Sequence, residues 1–185
     1  MWVKLWIISS ICLLTLTLQG QVRLNEIMSE NETVLADEDG DFSDWIELYN
    51  SGNDIINLVG LTLTDDEDDP DQWTFPFTQL APNGHVIVFC SGKNRLYGPY
   101  LHTNFKLKSS GEELILSDGN LQVLDYVRAT PLAEDVALAR VVDGEGNWER
   151  YSDATPGGYN SVQAILSLEP WPNPHPLKLS VHLLS

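Results

Sequence analysis

The chain has 185 residues, of which 27 are acidic and 10 are basic, and its formal net charge at pH 7 is −17. A surface of this sign repels phosphate backbones, because nucleic-acid binding requires clustered lysine and arginine side chains. Nucleic acid and anionic lipid are therefore excluded as expected partners.

The first element is an apolar run from Trp2 to Leu18 with one cation, Lys4, near its start. This layout predicts a secretory signal peptide over residues 1–20, cleaved near Gly20, and thus a secreted or cell-surface protein. The run is close to the shortest length that crosses a bilayer, so a retained anchor is the alternative. No other membrane segment is expected. Cys90 is the only cysteine after residue 20, and it is expected to be a small buried hydrophobe.

Short apolar segments broken by Gly, Pro, Asn and Asp follow the leader, and this pattern indicates strands. The predicted strands are residues 22–28, 45–49, 58–64, 73–75, 86–89, 113–117, 121–127 and 137–142. Such a number of strands is typical of a β-sandwich. Alternation over residues 44–49 predicts that Ile46 and Leu48 face the core and that Trp45, Glu47 and Tyr49 face the other side. Asp118-Gly119 predicts a tight hairpin turn with positive φ.

Turn-forming residues from 152 onwards end the predicted domain, which spans residues 21–161. Residues 162–185 begin as a proline-rich linker and continue as an alternating segment from Leu177, which suggests the start of a second domain.

Several segments resemble successive blocks of the lamin-tail domain of secreted bacterial proteins, in order over about residues 22–160. The blocks are Leu24-Asn-Glu-Ile-Met, Phe42-Ser-Asp-Trp-Ile-Glu-Leu-Tyr-Asn, Leu58-Val-Gly-Leu-Thr-Leu-Thr-Asp, Leu101-His-Thr-Asn-Phe-Lys-Leu, Ser110-Gly-Glu-Glu-Leu-Ile-Leu, Ala137-Leu-Ala-Arg and Thr155-Pro-Gly-Gly-Tyr-Asn. Leu61 departs from the bacterial pattern, which usually has Trp there. The resemblance implies an all-β, immunoglobulin-like sandwich that serves as an accessory module beside enzymes or surface proteins. Nuclear lamins use the related tail to contact proteins and in some cases DNA, and the acidity of this chain argues against DNA.

The tail around Pro172-Asn-Pro also resembles the opening of the C-terminal sorting domain used in type IX secretion. Only that opening is present.

Two acidic loops could bind Ca²⁺, which takes carboxylate and carbonyl oxygens from closely spaced loop residues. The first loop offers Asp37, Asp39, Asp41 and Asp44, and the second offers Asp65, Asp66 and Asp68. The first loop is not an EF-hand, because Gly40 falls fourth rather than sixth from Asp37. A solvated acidic loop that keeps the protein soluble is the alternative for both.

No catalytic residues are expected. The best carboxylate pair, Asp44 and Glu47, lies three residues apart on a strand, so the two side chains leave opposite faces. The histidines form no metal-binding motif. The remaining candidates for binding a sugar or a protein partner are aromatic side chains, although most of them are expected to pack in the core. The aromatic candidates are Trp45, Trp73, Tyr97, Tyr100, Trp148 and Tyr151.

The sequence thus predicts a non-catalytic exported module that binds a protein or a glycan at the cell surface. The alternative is a Ca²⁺-stabilised accessory domain of a secreted hydrolase or nuclease whose catalytic part lies elsewhere. No cofactor is expected apart from possible Ca²⁺, and the sequence indicates no oligomeric state.

Overall fold

A computed structural model describes residues 21–160 and, after them, only the strands Ile165–Leu166 and Val181–His182, which pair with each other. The predicted signal peptide and most of the predicted linker lie outside the described residues. Within the described part of the chain no helix is long and apolar enough to cross a membrane.

The domain is built from short strands, numbered in chain order. They are β1 (Val22–Met28), β2 (Trp45–Asn50), β3 (Ile56–Asn57), β4 (Thr62–Thr64), β5 (Trp73–Thr74), β6 (Gln79–Leu80), β7 (His85–Phe89), β8 (Leu101–His102), β9 (Glu113–Ser117), β10 (Val123–Arg128), β11 (Ala137–Val142) and β12 (Glu145–Tyr151).

Two sheets carry the fold, a six-stranded sheet in the order β12-β11-β1-β2-β7-β8 and a four-stranded sheet in the order β10-β9-β4-β5. All pairs in them are antiparallel except β7 with β8. Apolar side chains of both sheets form one buried cluster, in which Ile46 and Leu48 of β2 join Leu63, Leu114 and Leu116. The prediction of an all-β, immunoglobulin-like sandwich is confirmed.

The other face of the six-stranded sheet is buried as well. Trp45 and Glu47 are fully enclosed and Tyr49 is nearly so. Val34 and Leu35 from the loop after β1, and Ala154 from the segment after β12, pack against a second apolar cluster that contains Trp45. The predicted alternation of β2 is therefore right, but both of its faces are covered, because two loops fold over the outer side of the sheet.

The predicted hairpin joins β9 to β10, but its turn differs from the prediction. The Asp118 carboxylate accepts hydrogen bonds from the backbone N–H groups of Asn120 and Gln122, at 2.8 and 2.9 Å. Leu121, at φ +61°, takes the left-handed conformation, which Gly119 does not adopt. The turn is longer than predicted because the aspartate side chain organises it.

Replacing Leu121 by glycine should raise the free energy of unfolding by about 1 kcal/mol, since a β-carbon disfavours the left-handed conformation. Leu121→Ala is the control, because it removes the same side chain beyond the β-carbon and keeps the strain. Urea denaturation of both variants checks this, and equal stabilities would contradict it.

Cys90, directly after β7, is 1% exposed, as predicted. Its burial raises the pKa of the thiol well above the usual value.

Candidate functional site

The first acidic loop is organised by Asp37. One carboxylate oxygen of Asp37 accepts hydrogen bonds from the backbone N–H groups of Asp39 and Asp41, at 2.9 and 3.1 Å. The backbone of Asp37 bonds to Asp41 and Gly40, and Gly40 supplies the positive φ that the turn requires. As a result, carboxylate oxygens of Asp37, Asp39 and Asp41 lie within 4.8 Å of one another.

A lysine ammonium group lies among these three carboxylates. Lys93 Nζ is 2.6 Å from Asp37, 2.8 Å from Asp39 and 2.9 Å from Asp41. The contacts with Asp37 and Asp39 are hydrogen bonds, and they help to raise the pKa of Lys93 although desolvation opposes that. The repulsion between the carboxylates is thus relieved by a cation of the chain itself.

A second cation and a histidine hold the same loop. Arg95 bonds to Glu38 and Asp39, and His102 lies 3.0 Å from Glu38. Burial opposes ionisation of Glu38, but its hydrogen bonds with Arg95 and His102 lower the pKa to about 2. Hydrogen bonds from Lys93 and Arg95 lower the pKa of Asp39 to about 2 as well. The loop is therefore anchored to the segment that follows β7.

The fourth predicted ligand, Asp44, does not belong to the group of three. Its carboxylate accepts a hydrogen bond from the backbone N–H of Asn31 at 3.2 Å, and burial raises its pKa.

In the second loop, Asp66 accepts a hydrogen bond from the Asp68 backbone, and Asp65 lies 3.8 Å from Lys108 Nζ. Within residues 21–160, only the first loop brings three carboxylates within reach of one metal ion. Calcium binding at either loop stays a prediction.

A buried pair of glutamates lies on the outer face of the six-stranded sheet, and the sequence reasoning missed it. Glu26 of β1 is directly opposite Glu47 of β2 in the strand register, and both are fully buried. Glu47 accepts hydrogen bonds from Asn25 Nδ2 at 2.8 Å and from the Gly157 backbone at 2.6 Å. Glu26 accepts one from the Thr155 backbone at 3.0 Å. The pair thus holds the segment after β12 against the sheet.

Burial raises the pKa of Glu26 to about 7 and that of Glu47 to about 8, and repulsion from Glu26 and Asp143 adds to the effect on Glu47. Paired carboxylates with raised pKa values are found in hydrolases, but these two are enclosed and bonded to the chain. One sequence signal could have revealed them: Glu47 stands between Trp45 and Tyr49 on a face that is otherwise aromatic, where an acid is expected only if it is paired.

The open edge of β7 borders a groove. β2 pairs with all of β7, whereas β8 pairs only with Val88 and Phe89, so residues 85–87 have no strand on that side among the described residues. A cavity of about 490 Å³ lies beside this edge. Its lining contains no Asp, Glu, Lys or Arg and includes Phe77, Val86, Ile87, Leu96, Tyr97 and Tyr100. Phe77 is 68% exposed and Tyr97 is 80% exposed.

Of the aromatic residues that were predicted as recognition candidates, only two line this groove. Trp45 and Trp73 are buried, and Trp148 lies beneath the Arg140 guanidinium, 4.7 Å from the ring centre. Tyr151 lines a smaller cavity next to Glu26. Tyr97 and Tyr100 line the groove. Phe77 was not predicted as a recognition residue. It follows Pro76 and precedes β6, which has only two residues, so no strand pattern marks its position.

The family of this chain follows from a comparison of its sequence with models of protein families. A sequence model of the lamin tail domain matches residues 17–130. This chain belongs to the lamin tail domain family. The lamin tail domain match ends before β11, but β11 lies between β12 and β1, so the sheet of this lamin tail domain extends beyond the matched residues. No curated protein matches the sequence.

Proposed function

We propose that this lamin tail domain is a non-catalytic, exported binding module that recognises a protein partner at the cell surface through the groove beside β7. The observation that carries the proposal is the pair of exposed aromatic side chains, Phe77 and Tyr97, at an uncharged cavity of a highly acidic protein.

Two exposed aromatic side chains on the wall of one uncharged cavity are typical of an interaction site, because aromatic anchors dominate protein interfaces. The groove lacks fixed charges, so a partner could fill it without the cost of desolvating an ion. The described carboxylate clusters, in contrast, bond to Lys93, Arg95 or the backbone. These contacts favour recognition over hydrolysis. They also give no support to a calcium-stabilised accessory domain, because Lys93 lies where the cation would bind.

The test uses the full secreted chain against two probes, an immobilised glycan array and a displayed library of linear peptides. We expect peptides to be selected, and Tyr97→Ala should weaken their binding about tenfold or more, as for an interface anchor. The matched control is Tyr126→Ala, since Tyr126 is 62% exposed and lines a different cavity. The control should bind normally, and both variants should melt close to the wild type.

Equal binding by the wild type and Tyr97→Ala would show that the groove is not the binding site. Capture of glycans, but not peptides, in a Tyr97-dependent manner would replace the protein partner by a sugar.

A further inference from the structure

The hydrogen-bond pattern of β7 shows which of its backbone groups point outwards. The backbone N–H of Cys90 donates to Asp44, and Asn50 donates to Gly84. In an antiparallel ladder only alternate residues bond to a given neighbour. Even-numbered residues of β7 therefore bond to β2, and odd-numbered residues point away from it. Phe89 agrees with this, since its carbonyl accepts from Thr103 on the β8 side at 2.9 Å.

The same alternation directs the backbone groups of His85 and the N–H of Ile87 to the open side, whereas the Ile87 carbonyl faces Leu101 of β8 in the parallel register. Strand β8, which covers the end of β7, contains two residues only. A sheet edge of this kind is a template for another extended chain. The groove follows this edge, because Val86, Ile87 and His85 all contribute to its lining.

The charges near the groove indicate the chemistry of the occupant. Gly98 lines the groove, and a β-carbon built on it would lie 3.7 Å from a Glu38 carboxylate oxygen and 3.9 Å from the side chain of Arg95, which bonds to that oxygen, so this one pair is balanced in charge. Glu38 belongs to the acidic loop, in which four carboxylates face two cations, Lys93 and Arg95. The whole chain carries a net charge of −17. A basic partner is attracted by this field, and an acidic one is repelled.

We propose that an extended, basic segment of a partner protein adds as a strand to β7 at His85 and Ile87, with alternate apolar side chains in the groove. This inference rests on the proposed binding function and names the mode of binding and the class of partner. Backbone hydrogen bonds would supply affinity, and Phe77 and Tyr97 would select the side chains that fit.

The probe is the best linear peptide selected from the displayed library on the full chain. We expect the selected sequences to alternate apolar with polar or basic residues. The peptide is then synthesised with N-methyl groups at alternate residues, in both possible registers. One register should lose at least tenfold in affinity, because only alternate N–H groups face β7, and the other should bind almost normally.

Hydrogen exchange gives a second measurement that side-chain binding alone would not change. Addition of a strand should slow exchange of the Ile87 amide, whereas the amides of Val86 and Val88, already bonded to β2, should change little. Replacing the basic residues of the peptide by glutamate should weaken binding, and NaCl should lessen that difference.

Equal binding of the two methylated peptides, with no protection of Ile87, would overturn strand addition. If Tyr97→Ala still weakened binding in that case, the groove would remain the binding site and the proposed function would stand. Failure to select any Tyr97-dependent peptide, or pairing of this edge with a second copy of the chain in sedimentation experiments, would also overturn the inference.

Discussion

The free energy of unfolding is expected to fall as the pH rises from about 4.5 to about 8. In the folded state, burial raises the pKa of Glu26 to about 7 and that of Glu47 to about 8, from an ordinary value of 4.5. Between these limits the folded chain binds more protons than the unfolded chain, so ionisation favours unfolding. Below pH 4.5 both states are protonated at these groups, and their full stabilising contribution is present.

A pKa difference of one unit corresponds to about 1.4 kcal/mol, so differences of about 2.5 at Glu26 and about 3.5 at Glu47 give a decline on the order of 8 kcal/mol for the pair. Glu38 and Asp39 act in the opposite direction. Their folded pKa values of about 2 lie below the ordinary values, so their contribution is lost as the pH falls below about 4.5. Stability should therefore be greatest at about pH 4 to 5.

Glu47→Gln is the decisive variant, because the amide cannot ionise. Urea denaturation between pH 5 and pH 8 should show a clearly smaller slope than in the wild type. The slope is the relevant quantity, since an amide has one acceptor oxygen and loses one of the two bonds from Asn25 and Gly157 at every pH. Glu67→Gln makes the same change on an exposed loop and should keep the wild-type slope. A slope unchanged in Glu47→Gln would show that Glu47 ionises normally in the folded protein.

Replacing Lys93 by methionine should lower the free energy of unfolding by about 1 to 3 kcal/mol at pH 7. The change leaves the buried Asp37 carboxylate without its counterion, and the partial exposure of Lys93 keeps the loss below that of a fully buried pair. Arg128→Met is the control, because Arg128 forms an ion pair with Glu113 in which both side chains are exposed. That control should change stability by less than about 0.5 kcal/mol, and comparable losses in both variants would contradict the assignment.

The Lys93→Met variant also allows a direct test of calcium binding at the first acidic loop. In the wild type, Ca²⁺ must displace the ammonium group from Asp37, Asp39 and Asp41, but in Lys93→Met that cation is gone and only Arg95 still forms an ion pair within this group, with Asp39. We expect Ca²⁺ to raise the melting temperature of Lys93→Met above the value in NaCl of equal ionic strength. The wild type should respond less. Adding Asp39→Asn and Asp41→Asn to the variant should abolish the response, whereas a response that survived would place calcium elsewhere.

Sequence reasoning predicted the strands that have an apolar pattern well and those that lack one poorly. β1, β9 and β11 were predicted with the bounds that the structure has, because each is a run of several residues bordered by turn formers. The two-residue strands β3, β6 and β8 are too short to show any period. β12 was missed because Glu145–Tyr151 is largely polar and contains Gly146. Its position at the edge of the sheet tolerates that composition.

The candidate site was less predictable, because its contacts join distant parts of the chain. The acidic loop could be identified from residues 37–41, but its partners Lys93 and Arg95 follow more than 50 residues later. Glu26 lies opposite Glu47 only in the register that β1 and β2 adopt in the structure. An irregularity in β1 between Leu24 and Glu26 shifts that register. No local pattern encodes that shift.

Because Cys90 is buried, its rate of reaction with a thiol reagent can be used to measure local opening of the fold. In a chain that starts at Gln21 it is the only thiol, and a reagent can reach it only when β7 separates from its neighbours. If reclosing is faster than labelling, the rate of thiol modification is proportional to the population of the open state. Labelling kinetics would then report the free energy of that opening under native conditions, without denaturant or an introduced probe.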